Sequence, residues 1–107
     1  MNIGIDYNGK HYCLEYSREA VMEMENEGFS ITDVQEKMML RSKQLWTGAF
    51  KKNHPDTSEA VIMEMYDKYI GKKAVKDALQ TMIIDTYKFL VPEDEEDLGN
   101  LGVTVNP

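Results

Sequence analysis

The dipeptide Asn8-Gly9 is the feature that most restricts how this chain can fold. Asparagine and glycine tolerate the positive φ angles that both central positions of a type I′ turn require, and here they separate two stretches rich in β-branched and aromatic residues. A two-residue loop pairs Tyr7 with Lys10 and fixes the register, so alternate side chains share one apolar face. A two-stranded hairpin is only marginally stable alone, and this face must therefore pack on helices.

Caps and breakers predict two helices directly after the hairpin. Ser17 is a typical N-cap and Gly28 a typical C′ residue, which together bound a first short helix. Ser30 with Asp33 resembles a capping box, and the pattern that follows predicts a second helix running to about Asn53. A kink is expected in that helix at its Met-Met-Leu stretch.

Two further helices are predicted beyond a proline junction. Asp56 with Glu59 resembles another capping box, which starts a third helix over about residues 57–70. The fourth helix is expected over residues 72–91, with apolar side chains at helical spacing, and it ends before Pro92.

The third predicted helix is unusually apolar, since eight of the eleven residues over 60–70 are apolar. The exceptions form one narrow polar stripe: Glu64, Asp67 and Lys68. Such a helix is either the central one or one whose surplus apolar face is covered by a partner. The expected fold class is α+β and predominantly helical, with a β-hairpin over residues 1–16 packed on a small bundle of three to four helices over residues 17–91.

The net charge of −7 is concentrated at the two ends of the 107-residue chain. Residues 1–30 carry −4 and residues 92–107 carry −5, whereas residues 31–56 carry only +2. This weakly basic segment does not suggest nucleic-acid binding. The five adjacent acidic side chains of Glu93–Asp97 repel one another, which predicts a disordered acidic tail over 92–107 after a single domain over residues 1–91.

Cysteine usage and hydropathy indicate a cytoplasmic protein. The single cysteine, Cys13, cannot form an internal disulfide and suits a reducing compartment. The N-terminus has no secretory leader pattern, and no apolar run approaches the ~18 residues that span a bilayer. Secretion and membrane association are not expected.

Three side chains are the candidates for chemistry: His11, Cys13 and His54. His11 and Cys13 share the outer face of the hairpin, where nothing forms a pocket, and His54 is expected to make local hydrogen bonds at a helix junction. Phosphate-binding glycine loops, zinc-ligand spacings and nucleophile elbows are missing from the sequence. We therefore expect no catalytic residues, no metal and no cofactor.

The triplet His54-Pro55-Asp56 permits another interpretation, because it matches the signature through which J-domains stimulate a DnaK-type ATPase. The preceding helix lacks the tyrosine-leucine-glycine pattern and the dense basic face of J-domains, which also have no N-terminal hairpin. Helix capping explains Pro55 and Asp56 without any partner. A J-domain-like co-chaperone stays an alternative.

Methionine is the other unusual feature, with eight in the chain and pairs at Met22/Met24, Met38/Met39 and Met63/Met65. Methionine fills irregular cores, and it also lines surfaces that adapt to apolar partners. Both interpretations are open from the sequence.

A longer pattern resembles a known family. The run from Gly48 to Asp56 (GAFKKNHPD), then an apolar helix, then a helix ending in Tyr87-Lys88-Phe89-Leu90, is similar to small tail assembly chaperones of long-tailed bacteriophages and Gram-positive prophages. The opening Asp6–Lys10 and Glu15–Arg18 also resembles short prophage proteins of this kind.

The resemblance implies a mostly helical, non-enzymatic protein that binds the tape-measure protein and helps recruit major tail protein around it. A helical client would bury its apolar stripe against adaptable side chains. The candidate partner-binding residues are Trp46, Phe50, Ile62, Met63, Met65, Tyr66 and Tyr69. A homo-oligomer that uses the same surface, without any assigned role, is the remaining alternative.

Overall fold

The computed structural model describes residues 2–88 and has the expected α+β fold, with an N-terminal hairpin packed on helices. The expected acidic tail and the last residues of the fourth predicted helix lie outside the described residues. The elements are strands β1 (Ile3–Tyr7) and β2 (Lys10–Leu14), and helices α1 (Arg18–Asn26), α2 (Met38–Gly48), α3 (Glu59–Tyr69) and α4 (Lys73–Tyr87), with a 3-10 turn at Ile31–Asp33.

The hairpin has the predicted turn and register. Asn8 and Gly9 both have positive φ, at 51° and 78°, and β1 pairs antiparallel with β2 so that Tyr7 faces Lys10. Ile5, Tyr12 and Leu14 are buried in the core. The alternation that predicted one apolar face is therefore confirmed.

The first helix also begins and ends as predicted. The Ser17 side chain accepts a hydrogen bond from the backbone N–H of Ala20 at 3.0 Å. Gly28 has a φ of 95°, which a glycine adopts without strain. The helix buries Ala20, Val21 and Met24.

The long second helix predicted from Ser30 to Asn53 is wrong. Ser30 caps only the 3-10 turn, and Lys37 leaves the helical region with φ −119° and ψ 52°. The α-helix starts at Met38, so the expected kink is a complete break one residue earlier. The physical reason is that the Asp33 carboxylate binds the Arg41 guanidinium and holds the 3-10 turn back against α2.

The third and fourth helices are present with corrected bounds. Ser58 is the N-cap of α3 and accepts from the backbone N–H of Val61 at 3.3 Å, so the predicted capping box at Asp56 is wrong. Nor is α3 the central helix, because only Ile62 and Met65 are fully buried on it. Helix α2 carries the most buried side chains and contacts each of the other three helices.

At Gly48, α2 lies against the Met24 side chain of α1. A Cβ at this position would lie 2.9 Å from Met24 Cγ and closer still to the sulfur of the same side chain, which is buried. Glycine is normally unfavourable within a helix, but here it makes room for a core methionine.

We expect Gly48→Ala to lower the free energy of unfolding by about 1–3 kcal/mol, the cost of overpacking a core, although helix propensity alone predicts a gain of about 1 kcal/mol. Gly71→Ala is the matched control, because a Cβ there meets nothing within 4 Å, and it should be neutral or slightly stabilising. Urea unfolding of both variants measures the difference. Equal stability of the two would show that α1 and α2 do not meet at Gly48.

Candidate functional site

The seven side chains predicted to bind a partner do not form one exposed surface. Trp46, Phe50, Ile62 and Met65 belong to the hydrophobic core. The Trp46 indole N–H donates to the Ile62 carbonyl at 2.8 Å, and its ring meets Phe50 edge-on at 5.4 Å between centroids. The expectation that these four face a partner is corrected by their burial in the folded chain.

The other three predicted residues are half-buried on α3. Tyr66 and Tyr69 both lie against the Trp46 ring, at 6.4 Å and 6.3 Å between centroids. The Tyr69 hydroxyl also donates to the backbone carbonyl of Asp6 at 3.3 Å. Both tyrosines cover the core, and Tyr69 joins α3 to the hairpin. Met63 is half-buried on the same helix.

Exposed apolar side chains concentrate elsewhere, on the first turn of α2 and on α4. Met38, Met39 and Leu40 are 62%, 85% and 51% exposed, and Ile84 is 51% exposed. Met22 on α1 is another exposed methionine, at 63%. Within the three methionine pairs noted above, Met24 and Met65 are buried, whereas both members of the pair Met38/Met39 are exposed.

Met38 and Ile84 stand at the edges of an apolar groove between the segment over residues 31–38 and α4. The groove consists of two adjoining cavities of about 410 and 460 Å³ that share Val34, Leu45 and the glutamines Gln35 and Gln80. We call it the Val34 groove. Its apolar lining is Ile31, Val34, Met38, Leu45, Ile70, Leu79, Ile83 and Ile84.

The break before α2 explains why this groove exists. A continuous helix would carry Val34 along the axis of α2, whereas the 3-10 turn and the following turn at residues 34–37 place Val34 opposite α4. Leu45, Leu79 and Ile83 are buried beneath it. The result is an apolar floor with a rim of polar side chains, the arrangement typical of helix-binding grooves.

A buried polar network stabilises the break. The Arg41 guanidinium donates to both carboxylate oxygens of Asp33, at 2.7 and 3.0 Å, and to Gln44 Oε1 at 2.8 Å. Gln44 in turn donates to the Glu27 carbonyl at 3.1 Å. The hydrogen bonds from Arg41 hold the pKa of Asp33 below its ordinary value. The 3-10 turn, α1 and α2 are therefore tied at one point.

The backbone of His54 makes local hydrogen bonds: its N–H donates to the Phe50 carbonyl at 2.8 Å, and its carbonyl accepts from the Thr57 N–H at 3.2 Å. The His54 side chain makes a long-range contact that the sequence did not predict. Its Nε2 accepts from the backbone N–H of Cys13 at 2.9 Å, and its ring packs against Tyr12 at 5.1 Å between centroids. Burial, with smaller contributions from the charges of Lys10 and His11, lowers the pKa of His54. The imidazole therefore joins β2 to the segment that follows α2.

The other candidates for chemistry are surface residues of the hairpin. His11 Nδ1 lies 2.8 Å from an Asp6 carboxylate oxygen, with both side chains exposed. The Cys13 thiol is half-buried and donates to Glu15 at 3.7 Å. Over residues 2–88 no group of three or more histidine, cysteine or acidic side chains is placed to hold a metal ion, and no helix in this range has the length and apolarity needed to cross a bilayer.

Sequence reasoning missed the Val34 groove and the burial of Arg41. The Met38-Met39-Leu40 run was the available signal for an exposed apolar surface, because three large apolar residues in succession cannot all face one side of a helix. The groove itself depends on the packing of α4, which no local pattern reports.

The described residues define a small α+β domain in which a hairpin packs on four helices and an apolar groove lies beside the last of them. The chain belongs to the family described as Domain of unknown function (DUF5055), whose model matches residues 1–106. Comparison with curated proteins and with solved structures gave no match.

Proposed function

We propose that this protein is a non-enzymatic tail assembly chaperone of a phage or prophage, acting in the host cytoplasm, and that it binds an amphipathic helix of the tape-measure protein in the Val34 groove. The family resemblance of the sequence motivates the choice of client. The observation that carries the proposal is the placement of two exposed apolar side chains, Met38 and Ile84, on the edges of an apolar groove.

The chemistry of the groove suits a helical client. A helix with an apolar stripe can bury that stripe on Val34 and Leu45 while its polar face stays in water. Each 100 Å² of apolar area removed from water contributes about 2.5 kcal/mol before the cost of association. Met38 has a flexible, polarizable side chain, which adapts to the different stripes of a long client. Major tail protein would then assemble around a client kept apart from other copies.

The test is co-expression with the tape-measure protein and recovery of the complex. We expect Met38→Lys with Ile84→Lys to lower the recovery of soluble client at least tenfold, because two charges on the groove edges oppose an apolar stripe. Met22→Lys is the matched control, since Met22 is as exposed as Met38 but does not line the groove. All variants should unfold at similar urea concentrations, because the changed side chains are exposed.

Other outcomes identify other surfaces. Loss of client binding in Met63→Lys, with the groove variant unaffected, would move the site to the half-buried face of α3. If neither variant affects the client, the tape-measure proposal is wrong. Light scattering across a concentration series then examines the homo-oligomer alternative, in which the groove variant should reduce self-association.

The J-domain alternative is less consistent with the contacts of His54. The imidazole accepts the Cys13 N–H and packs against Tyr12 and Phe50, so its accepting nitrogen is already engaged within the chain. We expect no increase in the ATPase rate of a DnaK-type chaperone when this protein is added. An increase that is lost in His54→Gln would favour the J-domain function.

A further inference from the structure

The outer edge of β2 is covered by the segment that follows α2. In the hairpin register Cys13 is opposite Gly4, a position at which the backbone groups point away from the partner strand. The Cys13 N–H donates to His54 Nε2 at 2.9 Å, and its carbonyl accepts from the Asn53 side chain at 3.1 Å. Two residues further, the Glu15 N–H donates to the Ala49 carbonyl at 3.1 Å. Residues 49–54 thus satisfy the strand edge.

The contact with His54 specifies the protonation state of the ring. Nε2 accepts a hydrogen bond only when it carries no proton, so the imidazole is neutral with its proton on Nδ1. A protonated ring has two donors and no acceptor. The Cys13 N–H would then face another N–H group, and a half-buried backbone donor would lose its partner.

The charged groups around His54 come from several elements. Lys10 and His11 on β2 act on the ring with positive charge. The two carboxylates that line the same cavity as His54 are paired, since Glu27 lies 3.7 Å from Lys51 and Glu59 lies 3.8 Å from Lys43. Three other groups lie near His54: the Glu15 carboxylate, the Cys13 thiol and the exposed Asp56. Glu15 is paired with Lys52.

We propose that His54 is an acid-sensitive latch: the neutral imidazole fastens the edge of β2 to the helical body at neutral pH, and protonation releases it. This inference is independent of the proposed function. Because the pKa of His54 is lowered in the folded chain, its contribution to stability is fully present above the ordinary histidine value of about 6.5 and is lost as the pH falls through the folded-state value.

Urea unfolding between pH 7.5 and pH 5 tests the latch. We expect the unfolding equilibrium constant of the natural protein to rise as the pH falls, by up to about tenfold per pH unit. His54→Gln should remove this dependence, because the glutamine Oε1 can accept the Cys13 N–H but does not titrate. His11→Gln is the control: His11 lies on the same strand, is exposed and pairs with Asp6, so the dependence should persist.

A second measurement does not require a variant to fold. At pH 7.5, ¹⁵N NMR should report His54 as the Nδ1–H tautomer, with a scalar coupling from the Cys13 amide nitrogen to His54 Nε2. At pH 5 the coupling should weaken, and the Cys13 amide should exchange with solvent at least tenfold faster after correction for the intrinsic pH effect. A proton on Nε2 at pH 7.5, or an unchanged pH dependence in His54→Gln, would overturn the proposal.

Discussion

Replacing Trp46 with alanine is expected to lower the free energy of unfolding by about 3–5 kcal/mol and so to raise the fraction of unfolded molecules strongly. The side chain has no exposed surface, touches the rings of Phe50, Tyr66 and Tyr69, and donates to the Ile62 carbonyl. Alanine would leave a cavity where α2 meets α3. Because small domains have only about 5–15 kcal/mol of total stability, one cavity at this position removes much of it.

Two control variants, Leu40→Ala on the same helix and Trp46→Phe at the same position, show whether the stability loss is specific to the buried indole. Leu40→Ala, at an exposed position of α2, should change the free energy of unfolding by less than about 0.5 kcal/mol. Trp46→Phe keeps an aromatic ring but removes the indole N–H. Its loss in the free energy of unfolding should lie between those of Leu40→Ala and Trp46→Ala. Circular dichroism during urea unfolding gives all three values. If Trp46→Ala is as stable as Leu40→Ala, Trp46 is not a core residue.

The parts of the fold that the sequence predicted are those set by local chemistry. The Asn8-Gly9 turn determines the hairpin register within four residues, and Ser17 with Gly28 bounds α1 through contacts inside the helix and its ends. Each of these signals acts over a short stretch of chain. They keep the same meaning whatever the rest of the chain does.

The second predicted helix failed because a non-local contact decides its start. Asp33 resembles the N3 residue of a capping box, but its carboxylate binds Arg41 eight residues later. An arginine in a segment with several lysines is normally solvated, whereas the Arg41 side chain is buried with two partners, Asp33 and Gln44. Only the packed structure distinguishes a basic residue on a polar face from one inside a network.

Four of the seven candidate partner-binding residues are core residues, for a related reason. The sequence of a highly apolar helix such as α3 is the same whether its apolar side chains enter the core or face a partner. In the structure, Met65 on α3 and Trp46 on α2 are both in the core. The exposure of Met38 and the Val34 groove itself result from the break at Lys37 and from the position of α4. The methionine content indicated adaptable packing but did not say where.

The second large effect concerns the ion pair between Arg41 and Asp33. We expect Asp33→Asn to raise the unfolding equilibrium constant at pH 7 by at least tenfold, because it leaves a buried guanidinium charge without its carboxylate. Asp77→Asn is the control for an exposed pair: Lys73 lies 2.6 Å from Asp77 at the surface, and breaking that pair should change the constant by less than about twofold. Urea unfolding at pH 7 measures both.

The pair also predicts an acid response and a coupling. Arg41 lowers the pKa of Asp33 in the folded chain. The carboxylate therefore stabilises the fold at any pH above the ordinary aspartate pKa of about 4, and this contribution disappears as the pH falls through the folded-state pKa. Asp33→Asn should therefore lose less stability than the natural protein on acidification below pH 4. Arg41→Met removes the charge that Asp33→Asn leaves uncompensated, so the double variant should be more stable than the sum of the two single losses predicts. Additive losses would mean that the carboxylate and the guanidinium do not interact, and the break between the 3-10 turn and α2 would then need another cause.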